Sequence, residues 1–367
     1  MHVCTILNRF GGVMRAYDLS LPTAVLFGIN RIDSLGSIIA ERTDAKRVAL
    51  FSVSEEWMRP VLARITGSLE AAGIELAVTF SAIHGNPKLS ECREGLTTLE
   101  RSGATVIISI GGGSYLDASK WIAARTHCDL FITIPTTAGT GSEINEWAVI
   151  TNDETHVKES VQCRAADVAI LDPSVTVAMT PLLTLNTGMD AFSHGLEAYL
   201  SVSATLITDL LAFEACSTII SNISSCLKDG NDLQARGYML EASMMAGVAM
   251  LNAGLGVLHC IANILPGFYP AYSHGFVCGS LISEALEYNR PAVPVEKYLR
   301  VQPLVEQAGE IFKKFISDNS VAPVPLSRDN LSHLVYHASM NVNGRTNPRR
   351  ITESDVEGLI RKQFPVS

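Results

Sequence analysis

The chain has 367 residues, 47% of them hydrophobic and 18% charged, which is the length of about two ordinary domains and a balance too apolar for a disordered chain. Lys and Arg number 28 against 37 Asp and Glu, and the net charge of −9 excludes a general nucleic-acid binder, so that any anionic ligand must be met by local donors. The eight cysteines are scattered with no CxxC pair, which argues against a disulfide framework or a thiolate zinc site and for a reducing cytoplasm.

Residues 1–12 hold no basic stretch followed by a sustained apolar one, so no signal peptide is expected. From residue 47 short β-branched runs alternate with amphipathic stretches: 47–53 (RVALFSV), 58–73, 74–80 (IELAVTF), 89–103, 105–110 (TVIISI), 117–127 and 130–136 (LFITIPT). This alternation predicts βαβ units and a parallel sheet with helices on both faces, the fully apolar TVIISI and LFITI runs being central strands. After about residue 180 the chain changes to long apolar-periodic stretches, such as 182–201 and 205–230, which predict an all-α second half. Pro173 and Pro181 bracket the change, which divides the chain into an α/β domain over 1–180 and a helical domain over 181–367. Residues 242–283 contain no Asp, Glu, Lys or Arg. Gly254, Gly256, Pro266, Gly267 and Pro270 interrupt that segment and His259, Asn263 and His274 lie inside it, so a buried helical core around a polar site is expected there instead of a membrane span.

Ile110-Gly111-Gly112-Gly113-Ser114 runs straight off the TVIISI strand into a helix that starts near Leu116. Glycines let the backbone approach a ligand and turn several N–H groups toward it, and the following helix N-terminus adds partial positive charge, an arrangement suited to a pyrophosphate. Alone, the loop also fits a plain βα turn. A second loop of glycines and hydroxyls, residues 135–143 (PTTAGTGSE), leaves the next apolar strand, and ligands of parallel sheets sit beyond such carboxyl ends. Together the two loops predict a nucleotide site.

Asp190 and His194 are four apart and project from one helix face, a spacing that suits two ligands of one cation. His259 and His274 lie in the uncharged segment, where an unpartnered imidazole is costly. Asp190, His194, His259 and His274 would make a three-nitrogen, one-oxygen set suited to Fe(II) or Zn(II), although a buried histidine taken alone is more often a hydrogen-bonded core residue than a ligand. Glu197 shares the face of Asp190 and is read as a supporting or packing residue, with a fifth ligand as the alternative. His333 and His337 form a second four-residue pair without an apolar setting or carboxylate, and are read as surface or interdomain residues.

Taken together, 111–120 (GGGSYLDASK), 135–143 (PTTAGTGSE), 169–175 (AILDPSV), 188–199 (GMDAFSHGLEAY), 256–259 (GVLH), 273–275 (SHG) and 346–349 (TNPR) resemble the iron-containing (group III) alcohol dehydrogenases, in that family's order and across nearly the whole chain. The resemblance implies a dinucleotide-binding α/β domain with a parallel sheet, then a helical domain, with a metal between them held by Asp190, His194, His259 and His274. It implies that Gly112, Gly113 and Ser114 hold the pyrophosphate, that Asp117 joins the cofactor site, that Thr136, Thr137 and Ser142 line the nicotinamide side, and that Lys158 lies near the ribose. Three departures stand out. Asn263 occupies a position where the family usually has a second histidine, Phe27-Gly28-Ile29-Asn30 replaces an early FGxG pattern, and Val53, Ser54 and Glu55 stand where NAD-preferring members carry an Asp.

The function expected is NAD(P)H-linked reduction of a small aldehyde at Fe(II), with Zn(II) as the alternative metal, in a cytoplasmic homodimer without nucleic-acid or membrane partners. Arg345 lies in the loop before the NPR motif, which in the family is near the substrate, and its guanidinium suits a phosphonate or carboxylate; the family includes phosphonoacetaldehyde reductases. The rivals are a dehydroquinate-synthase-like lyase, whose site would be crowded with Lys and Arg, and a non-catalytic filament-forming or regulatory relative.

Overall fold

The computed structural model describes residues 16–154, 158–321 and 324–367; the stretch read for a signal peptide, with Cys4, lies outside them. The first half comprises β1 (Ala24–Phe27), α1 (Leu35–Ala40), β2 (Arg47–Ser52), α2 (Arg59–Ala71), β3 (Glu75–Phe80), α3 (Leu89–Ser102), β4 (Val106–Gly111), α4 (Gly113–Ala123), β5 (Leu130–Pro135), the antiparallel pair β6 (Trp147–Thr151) and β7 (Lys158–Gln162), and β8 (Val168–Leu171). Six strands form one parallel sheet in the order β1-β8-β5-β4-β2-β3. Every residue of β4 and β5 is buried, because helices cover both faces. Alternation along β2 divides its side chains: Val48 and Leu50 pack with α1 and α2, while Ala49 and Phe51 pack with α3 and α4.

Chain progression reverses at the β2/β4 boundary, since β3 lies on one side of β2 and β4 on the other. A crevice opens at such a point beyond the carboxyl ends of the strands, where doubly wound sheets bind ligands. The helix after the glycine loop begins at Gly113, ahead of Leu116, because Gly112 is its N-cap and Gly-Ser positions leave no trace in an apolar periodicity. The short strands β1 and β8 have four residues each, too few for a period to show.

The second half is helical: α5 (Pro181–Leu200), α6 (Leu206–Lys228), α7 (Leu233–Ala253), α8 (Val257–Ala262), α9 (Leu265–Phe268), α10 (His274–Asn289), α11 (Val295–Asp318), α12 (Arg328–Ser339) and α13 (Glu353–Gln363). α5 is buried almost throughout from Thr184 onward and packs against α6, α7 and α10. The uncharged segment forms the end of α7, then α8, α9 and the start of α10, with a 99° bend between Leu233–Ala253 and Val257–Phe268. Among the described residues one helix, α6, has the length and hydropathy to cross a bilayer, and it packs on α5, α7 and α11. Seven cysteines are free among the described residues.

Candidate metal centre and cofactor cleft

Three helices deliver the metal-ligand candidates to one point. Asp190 and His194 leave α5 one turn apart, His259 comes from α8, and His274 is the first residue of α10. The Nε2 atoms of His274, His194 and His259 lie 3.1, 3.6 and 3.6 Å from a single oxygen, Asp190 Oδ1. Metal bonds of about 2.0–2.2 Å in tetrahedral array hold donors about 3.3–3.6 Å apart, so these separations are those of a coordination shell.

The opposite ring nitrogens explain the aim. Nδ1 of His194 donates to the Gly139 carbonyl at 3.2 Å, Nδ1 of His274 to the Ala262 carbonyl at 2.9 Å, and Nδ1 of His259 to Glu197 Oε2 at 2.7 Å. A carbonyl or carboxylate only accepts, so each Nδ1 carries its proton and each Nε2 is turned toward Asp190. His259 Nε2 is buried without a hydrogen-bond partner. An orphaned nitrogen in a residue 1% exposed is expensive unless a cation engages it, and the donor set fits a divalent metal.

Burial raises the Asp190 carboxyl, but His194 and His274 beside it overcome that effect and hold it well below the usual carboxylate range. Burial pushes His194 down to about 3. Against burial, Cys278 and Asp190 raise His274 to about 10. A divalent cation competes for these same proton-holding atoms.

Glu197 is the residue that positions His259. Its two oxygens also accept the backbone N–H groups of Gly256 at 2.8 Å and Leu258 at 2.6 Å, while Asn347 Oδ1 accepts that of Val257 at 3.0 Å. The short helix α8 has no local side-chain cap, so two distant residues supply it. At the start of α10, Ser273 accepts from Phe276 N, and a Cβ on Gly275 would collide with the backbone of Asn186, which only glycine avoids.

Across the cleft the two glycine-bearing loops interlock. A Cβ on Gly113 would meet Thr140 Cγ2 at 2.8 Å, and Thr137 sits over Gly112. The first N–H groups of α4 have no intrahelical partner and open at the sheet's reversal point. Ser142 Oγ donates to Asp117 Oδ1 at 2.5 Å and Val149 N to Asp117 Oδ2 at 2.9 Å, so these two residues brace the loop against α4 and β6. Thr136 is buried, and burial lowers the Lys158 ammonium on β7. Because Gly139 holds His194, the loop read as the nicotinamide side is bonded directly to the metal cluster.

Residues 22–173 match the family model described as iron-containing alcohol dehydrogenase, and residues 184–364 match that of the family's C-terminal domain. The chain belongs to the iron-containing alcohol dehydrogenases. It is 31% identical over 393 aligned residues to 1,3-propanediol dehydrogenase of Klebsiella pneumoniae, covering 95% of this chain and 99% of that protein. A crystal structure of 1,3-propanediol oxidoreductase superposes with a TM-score of 0.86 at 29% identity, covering 95% of this chain and 100% of the other. The fold is shared also with sulfoacetaldehyde reductase of Bifidobacterium kashiwanohense in complex with NAD+, with a TM-score of 0.83, 22% identity, and 95% and 99% coverage. This iron-containing alcohol dehydrogenase is therefore an oxidoreductase of alcohols and aldehydes.

Two residues of the dehydrogenase escaped the sequence reading. Cys278 follows His274 by one turn of α10, and its Sγ lies 3.5 Å from Asp190 Oδ1. Its four-residue spacing from His274 on one helix is the signal that marks it in the sequence. Lys120 is fully buried, and its ammonium donates to Ser142 O at 3.0 Å, Asn145 Oδ1 at 3.2 Å and Trp147 O, with Asp117 Oδ1 at 3.1 Å. Asn263 closes α8 one turn beyond His259, half-buried. Arg345 is exposed on the 3₁₀ turn Val342–Thr346, which packs on α8, and His333 and His337 are exposed on α12.

Proposed function

We propose that this dehydrogenase reduces a small anionic aldehyde, a phosphonate or carboxylate such as phosphonoacetaldehyde, with NADPH at least as readily as NADH. Arg345 is the observation that carries the substrate reading. Its turn is fastened beside the metal cluster: Thr346 Oγ1 donates to Leu255 O at 2.6 Å, and Gly344 lies against Cys260, the neighbour of His259. Arg345 makes no ion pair among the described residues, which suits a guanidinium kept for a ligand's oxyanion. On the cofactor side, Val53, Ser54 and Glu55 follow β2 at the reversal point, and without an Asp on the strand end a 2′-phosphate meets no carboxylate until Glu55.

Bound at this cleft, iron supplies a Lewis acid for the aldehyde oxygen and the nicotinamide supplies hydride. The chain's own residues position both. Asp190, His194, His259 and His274 hold the metal, the amides of Gly112, Gly113 and Ser114 hold the pyrophosphate, and Thr136, Thr137, Ser142, Asp117 and Lys158 shape the nicotinamide and ribose end. Asn263 does not titrate near neutrality, so the proton for the product oxygen travels through water or cofactor hydroxyls instead of an imidazole there. The free, mostly buried cysteines accord with a reducing cytoplasm, and exposed Leu206, Leu210, Val295 and Leu299 on α6 and α11 offer an apolar face for a homodimer. The division of labour between the α/β and helical domains falls near residue 180.

The test is a panel of charged and neutral aldehydes assayed with both cofactors. Truncating one partner of a desolvated charge pair costs about 2–5 kcal/mol, so Arg345→Ala lowers kcat/KM for anionic aldehydes by tens-fold or more and spares butanal. Equal losses on charged and neutral aldehydes would show that Arg345 supports the loop only, and a strong NADH preference abolished by Glu55→Gln would overturn the cofactor reading.

A further inference from the structure

We propose that Cys278 is a thiolate donor to the metal, beside the carboxylate of Asp190 and the imidazoles of His259 and His274; this rests on the cluster being the metal centre. Helix α10 repeats what α5 does. Asp190 and His194 project one turn apart from α5, and His274 and Cys278 project one turn apart from α10, toward the same point. Cys278 Sγ lies 3.5 Å from Asp190 Oδ1, within the range that the three imidazole nitrogens keep from that oxygen, 3.1 to 3.6 Å. One donor atom each of Asp190, His259, His274 and Cys278 lies within 4.8 Å of all the others. His194 falls outside that mutual limit: its Nε2 lies 3.6 Å from Asp190 Oδ1, but it does not come within 4.8 Å of all the other donors.

Burial makes the thiol's position meaningful. Cys278 is 0% exposed, and the orphaned His259 Nε2 faces the same point. A neutral thiol is a weak donor that would leave that nitrogen unsatisfied, whereas a cation between them satisfies both. On metal binding the S–H bond is lost, a metal–sulfur bond forms, and the proton leaves to solvent. A sulfur donor biases the site toward zinc, cobalt and iron and away from magnesium and manganese. The other cysteine near the cluster, Cys260, points elsewhere, its Sγ donating to Asn341 O at 3.9 Å.

Cobalt(II)-loaded holoprotein provides the test, read by absorption. The expected result is visible ligand-field bands, which report cobalt in the site, together with a near-ultraviolet sulfur-to-cobalt charge-transfer band that Cys278→Ser abolishes while the visible bands persist. Visible bands without a charge-transfer band in the wild type, or a charge-transfer band that survives Cys278→Ser, overturns the proposal. No cobalt bound by the folded wild type would overturn the metal-centre reading beneath it. Should Cys278→Ser fail to fold, X-ray absorption on the cobalt-loaded wild type decides: a sulfur scatterer supports the assignment, and a shell of nitrogen and oxygen alone overturns it.

Discussion

Glu197 shows how much of the metal centre is organised by a residue outside the ligand set. It accepts His259 Nδ1 and the leading amides of α8, so it sets both the orientation of the ring and the seat of its helix. In Glu197→Gln an amide N–H₂ would face donors in place of a carboxylate oxygen. Metal affinity is expected to weaken about 10–100-fold, measured by competition with a chromophoric chelator; an unchanged affinity would mean that α8 holds His259 unaided. Glu143 is a different case, a buried carboxyl with Oε1 unpartnered. Burial pushes it from 4.5 up to about 7, so the folded protein keeps a proton that the unfolded chain has released. Stability therefore falls as pH rises from about 4.5 to about 7 and is constant above, a deficit of about 3 kcal/mol from this group. Glu143→Gln is expected to flatten that slope and raise stability at pH 8, as read by urea unfolding across the pH range. An unaltered slope would place its origin in another group.

Among the elements, α4 and the loop after β5 work as a pair. The loop holds few apolar anchors, and Lys120 reaches from α4 to bind its carbonyls while Asp117 ties it through Ser142. Lys120→Met would leave Ser142 O and Trp147 O without that donor and Asp117 without its cation. Breaking such a buried pair costs about 3–5 kcal/mol, so the denaturation midpoint should fall markedly, and dinucleotide affinity with it. A loss below about 1 kcal/mol would show the loop to be held by packing alone. The glycine loop before α4 was legible in the sequence as a turn from an apolar strand into a helix, and only together with the loop after β5 did it predict a nucleotide site. The buried lysine was not, because nothing local distinguishes it from a solvated one.

On the scale of the whole molecule, the metal-ligand candidates bring α5, α8 and α10 to one point, and the His194 to Gly139 hydrogen bond ties that junction to the loop after β5. A ligand bound only by the folded state at about 1,000 times its Kd adds about 4 kcal/mol. At about 2–4 °C per kcal/mol for a domain of this size, iron removal by chelation is expected to lower the calorimetric Tm by on the order of 10 °C, with restoration on adding iron back. An unshifted Tm would show that metal and fold are uncoupled.

The amino-acid sequence by itself determined the class of fold and most of the ligand chemistry. The short β-branched runs TVIISI and LFITI read as strands covered on both faces, and the four-residue spacing of Asp190 and His194 carries its own geometry, because helix period turns sequence distance into direction. His259 and His274 were legible as polar residues in a segment without charge. Tertiary structure alone decided that they meet Asp190, which imidazole nitrogen points inward, and that Glu197, Asn347 and Lys120 hold the site in place. Those contacts join residues 22 to 90 positions apart. Whether such partners meet depends on the packing of whole helices and sheets, and no local period in the sequence records it.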